Sequence, residues 1–255
     1  MGIIGKIFGA GSKSASPFDD NISKTGKLIG CDWRTADGPL DSTAVFDLYK
    51  HELDKGREEG YTPILLVPGG HLCEMIECNY NDNGGAAAFR KKMLNVDISD
   101  GKVFLEQRFD ENMEMFDEDF EGEDVYGVFN EKAKPAKVFF SSESKDLMLV
   151  KVPVTEPWNV FAWLPFGGWN ECPDTEDMIA VCKYWYEKYK AVPAVISSDE
   201  LQMYVSAPVD SQEAALSLAE EQYAFCNDTV DQGTGTIKAL ASAIKDSNVW
   251  YFWWD

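Results

Sequence analysis

A chain of 255 residues with 45% apolar and 13% aromatic side chains has material for one large core or two modest ones, which excludes disorder over most of its length. Against 23 basic residues stand 44 acidic ones, a net charge of −21 that keeps the chain soluble, argues against direct nucleic-acid binding and favours basic partners. The six cysteines form no Cys-x-x-Cys pair and only two histidines are present, so the thiols read as reduced and mostly buried, with no metal and no cofactor expected.

In chain order, "MGIIGKIFGAGSKSASP" has an apolar run interrupted at Lys6, too short for a signal peptide, and glycines at 2, 5, 9 and 11. Residues 1–25 are therefore expected to be a flexible leader. No stretch reaches the roughly 20 apolar residues of a membrane span, and the expected location is cytoplasmic. Asp41 or Ser42 can cap a helix that runs to about Glu59 and stops at Gly60. "TPILLVP" reads as a short buried strand, and "HLCEMIECNY" and "GGAAAFRKKML" read as helices.

Residues 104–125 hold ten acidic side chains and one basic one, with Phe109, Met113, Phe116 and Phe120 at helical spacing. The segment lacks a calcium-loop pattern, and a helix fans its carboxylates outward. It is expected to be an amphipathic helix whose outer face, including Asp117, Glu118 and Asp119, is a docking strip for a basic partner.

Beyond "KAKPAK", "DLMLVKVPV" and "WNVFAWLP" are strand-like, and "FGGWNECP" is a turn-rich loop. Asp174 can cap a helix reaching about Lys190, strands follow in "VPAVIS" and "ELQMYVS", and Asp210 or Ser211 can cap the next helix. "TIKALASAIKD" is a short amphipathic helix. In the closing "VWYFWW", Val249, Tyr251 and Trp253 alternate with Trp250, Phe252 and Trp254. Both faces are apolar, the pattern of a strand covered on both sides and placed inside a sheet.

The expected fold is α/β in the mixed α+β sense, a central sheet flanked by helices with the C-terminal strand buried within it. An N-terminal lobe at 26–145 and a C-terminal domain at 146–255, able to share one sheet, divide the chain. "LPFGGWNECP", "YWYEKYKAVPAVIS", "AEEQYAFCNDTVDQGTGTIKALA" and "VWYFWWD" resemble a bacterial family described only as domain of unknown function 4253, over about residues 150–255. Lys190 departs from the family pattern, whose helix-to-strand join is Gly-Ala. The resemblance implies no reaction. By analogy, acidic proteins of this sort are similar to immunity proteins that neutralise toxins.

The loop Trp169-Asn170-Glu171-Cys172-Pro173 is the best candidate site, because its glycine approach and the helix start beyond it suit binding. Cys172 at that position could act as a nucleophile, but it needs a histidine base that no spacing supplies. Glu220 and Asp228 are the candidate acids of a hydrolytic alternative, with Glu220 or Gln222 otherwise holding backbone amides of "CNDTVDQGTG". No Walker, HExxH or GxSxG pattern is present. The leading expectation is a non-enzymatic acidic interaction protein, in its sharpest form an immunity-type inhibitor of a basic toxin. The alternative is a small-molecule-binding or hydrolytic domain using residues 169–174 with Glu220 and Asp228.

Overall fold

The computed structural model describes residues 17–36, 41–96, 100–119, 122–140 and 147–255. Two helix–strand units set its frame. Helix α2 (Ser42–Glu59) starts where Asp41 accepts the Ala44 N–H at 2.9 Å, and it stops at Gly60, whose φ of 82° suits glycine. Strand β2 (Thr62–Leu66) follows at once. The second unit is α6 (Thr175–Tyr189) and β4 (Ala191–Ile196). Strands β2 and β4 run parallel, with Leu65 opposite Val195.

Around this pair, β3 (Met148–Val152) lies antiparallel between β2 and β1 (Asp32–Thr35). On the other side β5 (Glu200–Val205) pairs antiparallel with β4, and β6 (Val249–Trp253) pairs with β5. The six-stranded order is β1-β3-β2-β4-β5-β6. The mixed α+β fold expected from the sequence is the one observed. One sheet crosses residue 146, because β3 finds both its neighbours among strands that precede it.

One face of the sheet is covered by α2 and Phe139, which bring Phe46, Tyr49 and Leu53 onto Leu65, Leu149 and Val195. The larger core lies against Ile64, Val150, Met203, Trp250 and Phe252. It gathers α1 (Pro17–Ile29), α3 (Gly70–Asp82), α4 (Ala86–Asn95), α5 (Gly101–Asp119), α7 (Gln212–Phe225) and α8 (Ile237–Ile244). At its centre Trp185 stacks on Phe252 at 5.5 Å and meets Trp250 edge-on at 5.4 Å.

The C-terminal strand is in the sheet, but at its edge and not between two strands. Trp250, Phe252 and Trp254 form its fully buried face, while Tyr251 and Trp253 are half-buried. Its outer side is covered by non-strand chain: the Cys226 thiol donates to Trp253 O at 3.0 Å, and Asn248 N–H donates to Ala136 O at 3.0 Å.

"WNVFAWLP" is not a strand. Residues Pro157–Ala162 form a 3₁₀-helix that packs on α4 and α6, because Pro157 fixes a helical φ at its first turn and Phe161 is buried, with Trp158 half-buried against the core. Helix α1 begins at Pro17, inside the stretch expected to be a leader, whereas residues 1–16 lie outside the described residues. The acidic helix forms as α5, with Phe116 buried and Phe109 and Met113 packed on the core; Phe120 lies outside the described residues.

Candidate functional site

Because β5 is antiparallel to both β4 and β6, strands β2, β4 and β6 all point the same way. Their carboxyl ends share one rim, where departing segments leave a gap that backbone does not fill. Residues 67–70 turn from β2 into α3, Ser197–Asp199 turn from β4 into β5, and Trp254–Asp255 follow β6. With the loop at Gly167–Trp169, the start of α3 beyond residue 70, Ser198–Asp199 and Trp254–Asp255 wall a crevice of about 540 Å³.

The loop is held by its own backbone. Gly168 N–H donates to Cys172 O at 3.2 Å and Pro173 O at 3.1 Å, and Thr175 Oγ1 donates to Phe166 O at 3.0 Å. Only glycine fits at 167, where φ is 94° and a Cβ would lie 1.8 Å from Pro173 O. Asn170, at φ 46°, donates from Nδ2 to Asp255 O, and Asp255 N–H donates to Asp228 Oδ2 at 3.1 Å. Asp228 is thereby joined to the loop through Asp255.

Three carboxylates reach the crevice. Glu74 lies 3.7 Å from His71 Nδ1, and Asp199 accepts the Ser197 and Ser198 hydroxyls at 2.8 and 3.0 Å. The third is Asp255, which is exposed. The indoles of Trp169 and Trp254 supply aromatic wall, and no Lys or Arg is among the described lining residues. Trp254 is 1% exposed, and its Nε1–H has no partner among the described residues.

The remaining predicted residues are dispersed. Cys172 is buried against a different hollow with Arg108, Asp174 and Asp177. Burial, then Cys226 and Asp174, pushes its thiol well above the ordinary range, the reverse of what a nucleophile needs. Glu171 is engaged by Arg108 at 2.9 Å, which also pairs with Glu111 at 3.3 Å. Glu220 faces a third hollow beside α5 and accepts the Tyr126 hydroxyl at 3.0 Å. Burial and Glu220 push that tyrosine up to about 12. Asp228 lines a fourth, along with Gln222. Neither the Glu220 nor the Gln222 side chain holds the backbone amides of residues 226–235; the Gln222 backbone carbonyl accepts the Cys226 N–H at 2.9 Å.

Cys172, Glu220 and Asp228 thus line separate hollows and form no common centre. Asp117, Glu118 and Asp119 fall in the last turn of α5, and their side chains lie outside the described residues. Earlier on α5, Glu106, Asp110, Glu111 and Glu114 are exposed. Among the described residues no group of three or more His, Cys, Asp or Glu is placed to hold a metal ion, and no helix is long and apolar enough to cross a membrane.

Residues 148–255 match the family described as Domain of unknown function (DUF4253). No curated protein and no solved structure matches the chain. The DUF4253 region supplies three walls of the crevice, those at Gly167–Trp169, Ser198–Asp199 and Trp254–Asp255, while α3 before it supplies His71 and Glu74. Lys190 ends α6 at φ 56°, the left-handed region that glycine favours. Sequence reasoning missed His71, Glu74 and Asp199. The local signals were a Gly69-Gly70 pair between an apolar strand and a helix, and Ser197-Ser198-Asp199 between two strands.

Proposed function

We propose that this chain is a non-enzymatic interaction protein that takes a cationic group of its partner into the crevice at the carboxyl ends of β2, β4 and β6. One observation carries the reading: Glu74, Asp199 and Asp255 line one crevice with the half-buried Trp169 indole, and no Lys or Arg is among its described lining residues. An ammonium or guanidinium group gains from carboxylates by charge-assisted hydrogen bonds and from indole faces by cation–π attraction. The net charge of −21 adds long-range steering of a basic partner. A toxin-neutralising, immunity-type role is this chemistry with a basic protein as the source of the cation, and charge complementarity is what supports it.

The test is titration with a hexalysine or hexaarginine peptide, followed by tryptophan fluorescence and calorimetry at low and high salt, with hexaglutamate as the control. The reading expects one saturable site for the basic peptides, weakened about tenfold by Glu74→Gln combined with Trp169→Ala. Removing twice that charge from α5 by Glu106→Gln with Glu114→Gln leaves binding within about twofold. If the α5 pair weakens binding as much as the crevice pair does, or if no basic peptide binds at low salt, the crevice is not the site.

A further inference from the structure

A separate cavity of about 300 Å³ lies along the other face of β6, lined by Val249, Tyr251 and Trp253. Leu240 and Ile244 of α8 form its apolar wall, and Thr229 to Thr234, a π-helix, closes one end. Helical turns of that width recur beside binding sites, because the extra residue opens the backbone. What sets this cavity apart is Gln222.

Gln222 lines the cavity, is 1% exposed, and has no partner for either Nε2 or Oε1 among the described residues. Buried carboxamides are ordinarily satisfied at both ends. Gln202 on β5, equally buried, shows how: its Nε2 donates to Phe140 O at 3.1 Å, and its Oε1 accepts Phe140 N–H at 2.9 Å. One amide edge pairs there with another. Gln222 has the same chemistry and nothing set against it.

Lys134 on the lining is exposed, and the less exposed polar groups around the cavity are committed. The Tyr251 hydroxyl donates to Glu200 at 2.8 Å, and the Ser247 hydroxyl serves Ala136 O and Val249 O. Asp228 accepts from Gln232 at 2.8 Å and from Asp255 N–H. The buried polar side chain left to recognise a ligand is therefore Gln222.

We infer that this cavity binds a small, flat, uncharged ring carrying an N–H beside a C=O, a lactam or imide edge that pairs with both ends of the Gln222 amide. The volume stands at the low end for ligand cavities and suits a mono- or bicyclic ring. Apart from the exposed Lys134 and from Asp228, which already accepts two hydrogen bonds, the lining is mostly apolar, so an uncharged ring loses the least solvation there. The Trp253 and Tyr251 side chains offer flat surface.

The experiment uses the full chain with 2-quinolinone and N-methyl-2-quinolinone, which differ by one hydrogen-bond donor. Binding is followed by saturation-transfer NMR and tryptophan fluorescence. We expect 2-quinolinone to bind saturably, the N-methyl compound about tenfold more weakly, and Gln222→Leu to abolish the preference. Ala243→Phe, which narrows the cavity and keeps the amide, is expected to weaken both compounds. The comparison of the two compounds on the unmodified chain decides the matter even if a variant fails to fold. Equal binding of the two, no binding of either, or a preference that survives Gln222→Leu would overturn the assignment.

Discussion

Replacing Glu221 by leucine tests what fastens α6 to α7. Its Oε2 accepts the Trp185 indole N–H at 2.9 Å and the Tyr189 hydroxyl at 3.4 Å. Oε1 accepts the Tyr184 hydroxyl at 2.8 Å and Lys188 Nζ at 2.7 Å. The Glu221 side chain is 14% exposed and the Lys188 side chain 40%. Burial alone would lower the Lys188 pKa, but Glu221 and the Tyr184 and Tyr189 hydroxyls outweigh it and hold the ammonium above its ordinary value.

Leucine leaves the fully buried Trp185 N–H without a partner, a loss of about 1–3 kcal/mol. Lys188 turns into water, so its ion pair contributes at most about 1 kcal/mol after solvent screening. The expected total is about 2–3 kcal/mol. At roughly 2 °C per kcal/mol for a chain of this length, Tm falls by about 4–6 °C. Glu220→Gln one residue away keeps the Tyr126 hydrogen bond and should move Tm by no more than about 1 °C. Thermal melts by circular dichroism, paired with urea midpoints, make the comparison. A Glu221→Leu variant that melts within about 1 °C of the parent, or below which Glu220→Gln falls, would refute the reasoning.

Two further substitutions test the backbone and the charge ledger. Lys190→Gly removes a Cβ from a left-handed residue at φ 56° and is expected to raise stability by about 0.5–1 kcal/mol in urea, whereas a loss of that size would show that Lys190 Nζ over the Tyr186 ring matters more than the strain. Burial raises the Glu52 carboxyl, but the Tyr61 hydroxyl at 2.8 Å and Arg34 at 3.4 Å outweigh it, so its pKa is depressed; the stability advantage of the parent over Glu52→Gln should be full above pH 4.5 and shrink as the pH falls further, and urea midpoints showing the opposite trend would contradict the sign.

Local signals in the sequence carried the elements whose causes are local. Asp41, Ser211 and Thr236 cap helices because an Asx or hydroxyl side chain reaches its own first turn, and "TPILLVP" is a strand because β-branched and apolar residues stand between prolines. "WNVFAWLP" has strand composition and became a 3₁₀-helix, since its aromatics are placed by the core and not by alternation. Strand β1 is short and exposed, so no hydrophobic period announces it; it exists because β3 offers an edge. The insertion of β3 between β1 and β2 is a non-local pairing that no window of sequence contains.

Helix α7 shows why the candidate sites were harder to read than the fold. Read from the sequence alone, an apolar stripe through Leu216, Ala219, Tyr223 and Cys226 puts Glu220 near the edge of burial and Glu221 further out. The helix instead packs against both α5 and α8, so Ala215, Leu218, Gln222 and Phe225 are buried as well. Period 3.6 gives the angle to one neighbour; a helix with two neighbours has two buried directions, and the polar residues between them become enclosed. Glu221 met donors from α6 and was satisfied. Gln222 met a cavity. The crevice arises in the same way: its carboxylates come from the helix after β2, the turn after β4 and the residue after β6, whose ends share a rim because β2 and β4 run parallel and β5 reverses the chain between β4 and β6. Sheet topology, and no motif, is what makes Glu74, Asp199 and Asp255 neighbours.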